Sequence, residues 1–409
     1  MNCNFMDFIN DISHVSNRID NNRFVGQFEK LKDMKNYSIS SIVVFFICST
    51  ILYSQDKPQV RLEGALRFNY NNSSWKEAQK KRGGDISYDM FAISPKVAYK
   101  GFILDIKYRI YEDQSGGGML RQGFIGYDLN EKNQLQFGLT RVPFGIEPYN
   151  SHSYFLGMGY YLGLEDDYDV GLKYKREGEK FDYQLAFFKN SDLASEIGGD
   201  GVESMRRYSY DVGGRNRETN QFNGKLVYKT EGEFKHRIGA SFMYGGLYNV
   251  DTKEMGDHFA LAGHYELDYK RFNLKTQVSR FEKNPKNIEG ESRDIVELIA
   301  YNAAYEVAAK GTLYTVGASY DFPINRKALS QIQVYNDFAY LDKDKSEFES
   351  SITNKLGIRL QSGGIYTYVE YVAAKNQPWF GPEWTKAFSE GDPNHDWEGR
   401  FNINVGYYF

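Results

Sequence analysis

The sequence predicts an all-β protein, a closed antiparallel barrel of about sixteen strands that crosses a membrane. Three observations favour this fold. Apolar and polar residues alternate with period two in segment after segment. These segments run to about ten residues, the length that a tilted strand needs to cross a bilayer, whereas the strands of a soluble sandwich typically have about five or six. Short turns also alternate with long polar loops along the chain, as they do in outer-membrane barrels.

The composition agrees with strands that have one water-exposed and one apolar face. The 409 residues include 33 Tyr, 29 Phe and 39 Gly against 9 Pro, and 25% are charged. After Gln55 no apolar run has the length of a spanning helix, so the chain is either soluble or a barrel. Its two cysteines, Cys3 and Cys48, precede the predicted mature start, which excludes a disulfide framework. A net charge of -4 gives no indication of nucleic-acid binding.

The amino terminus resembles an export signal. Residues 34–54 combine a basic residue, Lys35, with an apolar run from Ile39 to Tyr53 and a small residue, Ser54, which is typical of a secretory signal peptide. Residues 1–33 are interpreted as an upstream-start artefact, with Met34 as the initiator. The alternative is a signal anchor that keeps the first segment cytoplasmic. Residues 55–409 then form an outer-membrane barrel domain, exported through the secretory pathway of a Gram-negative cell.

The first and last strands show the alternation most clearly. In "QVRLEGALRFNY" the apolar set is Val60, Leu62, Leu66, Phe68 and Tyr70, and the opposite set is Arg61, Glu63, Ala65, Arg67 and Asn69. In "FNINVGYYF" the alternating set ends on the last residue, Phe409. An open edge in lipid would leave unpaired amides, so we expect the last strand to pair with the first and close the barrel. A terminal Phe also resembles the signal that the outer-membrane assembly machinery recognises.

One segment is ambiguous. The stretch Asp294 to Gly311, "DIVELIAYNAAYEVAAKG", fits helical spacing about as well as alternation, and its alanines favour a helix. Including it as a strand gives about seventeen strands, but a single-chain bacterial barrel has an even number. We therefore place it in a long loop, where its helical or extended state stays open.

The polar face of each strand is predicted to line the lumen, with the apolar face and its aromatic girdles toward lipid. Basic lumen candidates outnumber acidic ones, and a positive water-filled constriction favours anions. The alternative is that many of these charges pair across strands and only hold the wall open. The basic candidates are Arg61, Arg67, Lys96, Lys100, Lys107, Arg109, Lys173, Lys175, Lys225, Lys229, Lys235, Arg237, Lys275, Lys355, Arg359 and Arg400. The acidic candidates are Glu63, Asp105, Asp169, Asp182, Glu266, Asp268, Asp321, Asp337 and Glu370.

The motif "RVPFG" at residues 141–145 interrupts this pattern. Pro143 cannot donate to a ladder and ends the strand. Gly145 permits the chain to turn into the barrel, taking "SHSYFLGMGYYLGL" with it, so Arg141, Pro143, Phe144 and Gly145 form a candidate constriction-loop motif. The alternative is an outward loop that packs on a neighbouring subunit.

The stretch Leu135 to Phe155, "LQFGLTRVPFGIEPYNSHSYF", resembles the phosphate-selective porin O and P family, in its Bacteroidota-type members. "RVPFG" is its most specific part, and Tyr160–Lys175, Val316–Pro323 and Lys375–Pro382 resemble further family positions. The resemblance implies a sixteen-stranded barrel, often a homotrimer, whose inward loops form the constriction. It also implies a channel that prefers anions, phosphate among them.

Catalysis is not predicted. His152, His236, His258, His264 and His395 show no serine-histidine-acid spacing and no paired-histidine metal motif, so we expect no enzyme, cofactor or metal site. The acidic runs at Leu164–Asp169 and Glu390–Gly399 are interpreted as solvated or lipopolysaccharide-bridging loops, with calcium binding as the alternative.

The sequence thus predicts a diffusion porin for small hydrophilic solutes, with small anions preferred. Its expected partners are outer-membrane lipid and lipopolysaccharide, the assembly machinery and two further copies of the chain, with no nucleic acid. A substrate-specific channel and a surface-binding or adhesin barrel without conductance are the alternatives. Ohmic channels would indicate a diffusion porin, current block by one solute at low concentration a specific channel, and neither of these an adhesin.

Overall fold

Sixteen strands close into an antiparallel barrel between Gln59 and Phe409, as predicted. The computed structural model describes residues 57–191, 204–326, 329–394 and 396–409. The predicted upstream segment and signal peptide, residues 1–54, lie outside the described residues. The helices in the described part of the chain are all too short or too polar to traverse a membrane.

The described residues form nineteen strands, of which β8, β13 and β14 lie outside the barrel. The ring runs β1-β19-β18-β17-β16-β15-β12-β11-β10-β9-β7-β6-β5-β4-β3-β2. The bounds are β1 (Gln59–Ser73), β2 (Asp85–Tyr99), β3 (Phe102–Ile110), β4 (Gly118–Asn130), β5 (Asn133–Arg141), β6 (Tyr168–Glu177), β7 (Phe181–Ser191), β8 (Asp211–Val212), β9 (Asn216–Lys229), β10 (Phe234–Asn249), β11 (Met255–Tyr269), β12 (Phe272–Asn284), β13 (Ile295–Ala300), β14 (Ala303–Ala308), β15 (Lys310–Arg326), β16 (Leu329–Lys343), β17 (Ser351–Ser362), β18 (Ile365–Lys375) and β19 (Glu398–Tyr408); one short helix, α1 (Glu77–Lys81), follows β1.

The connections differ between the two ends of the barrel. At the end that holds Gln59 and Phe409 the turns are short, and we call this end the short-turn rim; its described turns are 100–101, 131–132, 178–180, 230–233, 270–271 and 363–364. At the opposite end, the long-loop rim, the connections include 74–84, 142–167, 285–309 and 376–397. Short periplasmic turns and long extracellular loops are typical of bacterial barrels.

The seam of the barrel lies between β1 and β19. Phe68 is paired with Val405 and Asn69 with Asn404. Past the end of β19, the amide of Gly64 donates to the carbonyl of Phe409 at 2.9 Å, and the amide of Phe409 donates back at 3.1 Å. The last residue of the chain is therefore paired through its backbone, as the alternation predicted.

The outer face of the barrel is apolar. Val60, Leu62, Leu66 and Phe68 on β1 are all exposed, whereas Asn402 and Asn404 on β19 are buried on the lumenal side. Aromatic pairs lie beside the short turns. Examples are Phe102 with Tyr127 and Phe234 with Tyr269, whose ring centroids are 4.8 and 4.2 Å apart. These pairs form an interfacial girdle of the kind found in membrane barrels.

The ambiguous segment lies outside the barrel, as predicted, from Asp294 to Ala309, while its last two residues, Lys310 and Gly311, begin the barrel strand β15. Of the helical and extended states left open by the sequence, the segment takes the extended one. It forms the hairpin β13–β14, in which Tyr301 and Asn302 make the turn with φ of 52° and 61°. The backbone of β13 also pairs with β8, at Leu298 and Val212. The helix preference of alanine is small, and this pairing together with burial of the hairpin outweighs it.

The hairpin belongs to a packed body of loops that we call the loop cap, formed by the described parts of loops 192–215, 285–309 and 376–397. Its core continues into the loop between β5 and β6, so the long loops are not independent solvated segments. The buried side chains of this core include Tyr208, Tyr210, Val212, Val296, Leu298, Tyr305, Val307 and Phe388 from the cap and Met158, Tyr160, Leu162 and Leu164 from the β5–β6 loop.

Candidate functional site: the barrel lumen

The loop between β5 and β6, residues 142–167, enters the lumen, and we call it the constriction loop. Pro143, Phe144 and Gly145 are buried at its start. Gly145 has φ of 57°, and a Cβ there would lie 2.4 Å from Oε1 of Gln277 on β12. The Gly145 amide donates to Oγ of Ser241 at 2.9 Å. A residue with a side chain would meet both backbone strain and the wall at this position, which explains the glycine.

The constriction loop reaches the opposite wall. In the ring of sixteen strands β16 is eight places from β5, directly across the barrel. The amides of His152 and Ser153 donate to Oδ2 of Asp337 on β16 at 2.8 and 2.9 Å. The hydroxyl of Ser153 donates to Oε2 of Glu370 on β18 at 2.8 Å. The loop therefore spans the lumen instead of packing outward, and two wall carboxylates bind its far side.

Three lysines from different parts of the wall donate to carbonyl oxygens in the constriction loop or directly before it, at the end of β5. Nζ of Lys173 on β6 donates to the carbonyl of Arg141 at 2.8 Å, and Nζ of Lys275 on β12 donates to the carbonyl of Tyr149 at 2.7 Å. Nζ of Lys355 on β17 donates to the carbonyl of Leu156. A carbonyl oxygen does not neutralise an ammonium group, so these anchors leave positive charge in the lumen.

A buried carboxylate at the end of the constriction loop, Asp166, joins two arginines of the wall. Oδ1 of Asp166 lies 2.6 Å from Arg121 and 2.8 Å from Arg141. The hydroxyl of Tyr208 donates to Oδ2 at 2.6 Å. Burial alone would raise the pKa of Asp166, but the guanidinium groups of Arg121 and Arg141 hold it below its ordinary value. One carboxylate thus faces two cations.

Two cavities lie on either side of the constriction loop. The lower cavity, of about 900 Å³, extends toward the short-turn rim, and the upper cavity, of about 410 Å³, lies against β1, β2 and β3 under the loop cap. Four residues line both cavities: Arg67, Tyr149, Tyr154 and Leu156. Nε of Arg67 lies 2.7 Å from Oδ2 of Asp89, and its guanidinium lies 5.4 Å from the Tyr154 ring centroid. We take these four residues as the constriction.

The lower cavity has nine basic and six acidic lining residues among those described. Several of the cations are paired: Lys225 lies 2.6 Å from Glu147, and Lys175 lies 2.5 Å from Glu177. Burial opposes ionisation of Glu147, but the ammonium of Lys225 and other nearby cations hold its pKa at about 2. Cross-strand pairing therefore accounts for part of the lumenal charge, and a positive excess remains.

The predicted pore-lining residues fall into groups. Arg67, Lys173, Lys175, Lys225 and Arg359 line the lower cavity together with Arg141, and Arg67 and Arg109 line the upper one. Lys107 lies on β3 on the same face as Arg109. Arg61 and Lys96 face each other on β1 and β2, and Lys96 is 3.5 Å from Asp105. Lys229 forms an ion pair with Asp182 at 2.7 Å.

The assignment of Lys100 to the lumenal face is wrong. This residue occupies the turn between β2 and β3, where its φ is 50°. Its ammonium lies 5.2 Å from the centroid of the Tyr99 ring at the short-turn rim. The left-handed turn ends the alternation at Tyr99, so a period-two count carried through it assigns the wrong direction.

The interpretation of the acidic run Leu164–Asp169 as a solvated loop is also wrong, because every residue of the run is buried. Carboxylate oxygens of Asp167, Asp169 and Asp211 lie within 4.8 Å of one another. Burial and the carboxylates of Asp169 and Asp211 raise the pKa of Asp167 well above its ordinary value, which favours a shared proton. The only indication of burial in the sequence was that this run lies at the end of the loop predicted to enter the barrel.

Glu165 makes the constriction loop sensitive to pH. Its Oε1 accepts from the amide of Asn150 at 3.1 Å, and burial raises the pKa of its carboxyl from 4.5 to about 7. Since the folded-state pKa exceeds the ordinary value, the stabilisation is complete below about pH 4.5 and is lost as pH rises through about 7. We expect single-channel noise from loop motion to increase between pH 5 and 8.

Glu165→Gln, which mimics the protonated carboxyl, serves as the control for this prediction. Its single-channel noise should be flat over the same pH range. Noise that increases toward acidic pH in the unmodified protein would contradict the assignment to Glu165.

The comparisons with known proteins show similarity of fold. Neither a protein-family model nor a curated protein sequence matches the chain. Among solved structures, the outer membrane channel DcaP of Acinetobacter baumannii is 13% identical, covering 88% of this chain and 99% of that one, with a TM-score of 0.56. The anion-selective porin from Comamonas acidovorans is 13% identical over 86% and 100%, with a TM-score of 0.55. OmpT, an outer membrane protein of Vibrio cholerae in a trimer form, is 14% identical over 87% and 100%, with a TM-score of 0.54.

Proposed function

We propose that this protein is an outer-membrane porin, a water-filled channel through which small hydrophilic solutes diffuse, with a preference for anions. The observation that carries the proposal is the lumen itself. Two cavities meet at Arg67, Tyr149, Tyr154 and Leu156 on an inward loop, inside a barrel whose outer face is apolar. The likeness to outer-membrane channels of the same fold supports the proposal.

The proposed setting is the outer membrane of a Gram-negative cell. The short-turn rim would face the periplasm and the loop cap the outside, as is typical of bacterial barrels. Export would use the signal peptide at residues 34–54. A homotrimer is proposed from the Vibrio relative, which is described as a trimer form. Outer-membrane lipid and lipopolysaccharide would surround the apolar face.

The anion preference rests on cations that carboxylates do not fully neutralise. Lys173, Lys275 and Lys355 donate to carbonyl oxygens, and Arg121 and Arg141 share one carboxylate. A positive excess between low-dielectric walls raises the local concentration of anions. The resemblance of Leu135–Phe155 to the phosphate-selective porin O and P family adds phosphate to the anions proposed as physiological solutes.

Planar-bilayer recording in a KCl gradient tests the proposal. The reversal potential should indicate chloride permeating faster than potassium, and Arg67→Glu should move the ratio toward potassium because it reverses a charge at the constriction. Arg61→Glu is the matched control, since Arg61 lies on the same strand but is not among the described residues that line either cavity. A cation-selective unmodified channel would overturn the anion preference.

The alternatives have their own outcomes in the same apparatus. Current block by phosphate at low concentration would indicate a substrate-specific channel. The absence of both conductance and liposome swelling would indicate a surface-binding barrel, for which the loop cap would be the natural contact surface.

A further inference from the structure

The upper cavity differs from the lower one in chemistry. Eleven of its twenty described lining residues are Tyr, Phe or Trp, against four of thirty-one in the lower cavity. We call the upper cavity the aromatic chamber. Its rings come from three sources: the wall strands, with Tyr88, the constriction loop, with Phe155, and the loop cap, with Tyr301 and Trp379. A solute that enters from the long-loop rim meets this chamber before the constriction.

The rings of the chamber are held in place by their polar ends. The hydroxyls of Tyr160 and Tyr301 lie 2.6 Å apart, and Nε1 of Trp379 donates to the hydroxyl of Tyr210 at 2.9 Å. The first contact joins the constriction loop to the loop cap, the second joins two loops of the cap, and both fix ring positions. A pre-formed aromatic site binds at lower entropic cost than one that must assemble around its ligand.

Two guanidinium groups in the chamber pack on rings. Arg109 lies 4.8 Å from the centroid of Tyr208, and its NH1 donates to the hydroxyl of Tyr111 at 3.1 Å. Arg400 lies 4.6 Å from the centroid of Phe380 and donates to the carbonyl of Trp379 at 3.0 Å. Each of the two guanidinium groups thus has a ring over at least one face, while a guanidinium keeps further N–H groups along its edge for an anion.

The third arginine of the chamber is the constriction residue Arg67, whose charge is balanced by Asp89 at 2.7 Å. The remaining carboxylate of the chamber, Glu112, is exposed in the loop at the outer end of β3. The inner part of the chamber therefore combines aromatic surface with the positive charge of Arg109 and Arg400.

We infer that the aromatic chamber binds solutes that carry both a carboxylate and an aromatic ring, and that it holds them before they pass the constriction. This inference rests on the proposed channel function and names a solute class for it. A small hydrated anion gains nothing from the rings, and a neutral aromatic molecule gains nothing from the guanidinium groups. An aromatic carboxylate uses both, through ring packing and a charge-assisted hydrogen bond. A neutral sugar would leave Arg109 and Arg400 without a counter-charge.

Current block by matched solutes tests the inference. Purified protein in a planar bilayer with symmetric KCl receives benzoate, acetate, benzyl alcohol or glucose. Benzoate should reduce the current at a concentration about tenfold lower than acetate or benzyl alcohol, because ring packing and the charge each contribute about that factor. Addition from the side of the loop cap should block more strongly than addition from the other side.

Two variants locate the block. Arg109→Gln should reduce the difference between benzoate and benzyl alcohol to less than about threefold, since it removes the charge and keeps the rings. Arg359→Gln also removes one arginine, but from the lower cavity, and should leave the ratio of the two blocking concentrations unchanged.

The outcomes separate this inference from the proposed function. Anion-selective channels that benzoate and acetate block equally would overturn the inference and leave the porin proposal intact. Block by glucose alone would overturn it in favour of carbohydrate. A protein without any conductance would overturn the porin proposal itself. An Arg359→Gln effect equal to that of Arg109→Gln would place the block outside the chamber and overturn the assignment.

Discussion

Asp166→Ala is expected to loosen the constriction loop and to destabilise the folded barrel by about 3–5 kcal/mol, the cost of breaking a buried ion pair. The carboxylate is fully buried and lies within 2.8 Å of both Arg121 and Arg141. Removing it leaves two guanidinium groups in a poorly solvated part of the lumen, where only hydroxyls remain as acceptors. The end of the loop would lose its ion pairs to β4 and β5 and become more mobile.

Thermal unfolding in detergent, followed by circular dichroism and by the change in gel mobility on heating, measures this effect. Asp182→Ala is the matched control, because Asp182 also pairs with one cation, Lys229, but both side chains are partly exposed. Its loss should cost only about 0–1 kcal/mol. Asp166→Asn, which keeps the shape, should fall between the two. Equal unfolding temperatures for the Asp166 and Asp182 variants would show that the buried network does not hold the loop.

Deletion of Phe409 is expected to reduce the amount of assembled barrel more than any single change in the lumen. The deletion removes two backbone hydrogen bonds to Gly64, of 2.9 and 3.1 Å, worth about 1 kcal/mol each. It also uncovers Gly64, on which the Phe409 ring packs so closely that a Cβ there would lie 2.4 Å from it. The barrels that do form should keep their conductance, because the residue lies at the rim.

The fraction of heat-modifiable protein in isolated outer membranes measures assembly. Phe409→Ala keeps the backbone bonds and removes the ring, so its effect isolates the aromatic contact and the proposed recognition of the terminal ring. Phe401→Ala, at another outward aromatic of β19, is the control and should assemble nearly normally. Normal surface levels of the deleted protein would argue strongly against the seam interpretation.

The barrel was predictable because its evidence is local. Period-two alternation fixes which side of a strand faces lipid, so Phe68 and Val405 were placed outward and Arg67 and Asn404 inward before any pairing was known. The requirement for an even number of strands then indicated that the segment Asp294 to Gly311 is not a barrel strand. The same reasoning failed at Lys100, because the alternation was counted into the turn before Gly101, where a positive φ breaks it.

The candidate site was less predictable because its contacts are distant in sequence. His152 meets Asp337 and Lys355 meets the carbonyl of Leu156 only because the constriction loop crosses the whole lumen. The burial of Asp166 and the aromatic chamber depend in addition on the loop cap. Nothing in the local pattern around Tyr208 or Tyr301 predicts that the Tyr208 ring would pack against both Arg109 and the Tyr301 ring.

By itself the sequence determined the membrane barrel, its sixteen strands, its two unlike faces and the seam at Phe409. These features follow from residue alternation and from the need to pair every amide in lipid, and both act along a single strand or between its neighbours. Only the tertiary structure decided that the loops fold inward, which lumenal cations are paired, and where the constriction and the aromatic chamber lie. Those features depend on the packing of polar loops through many contacts between residues far apart in sequence. The local alternation of residue types gives no information about such contacts.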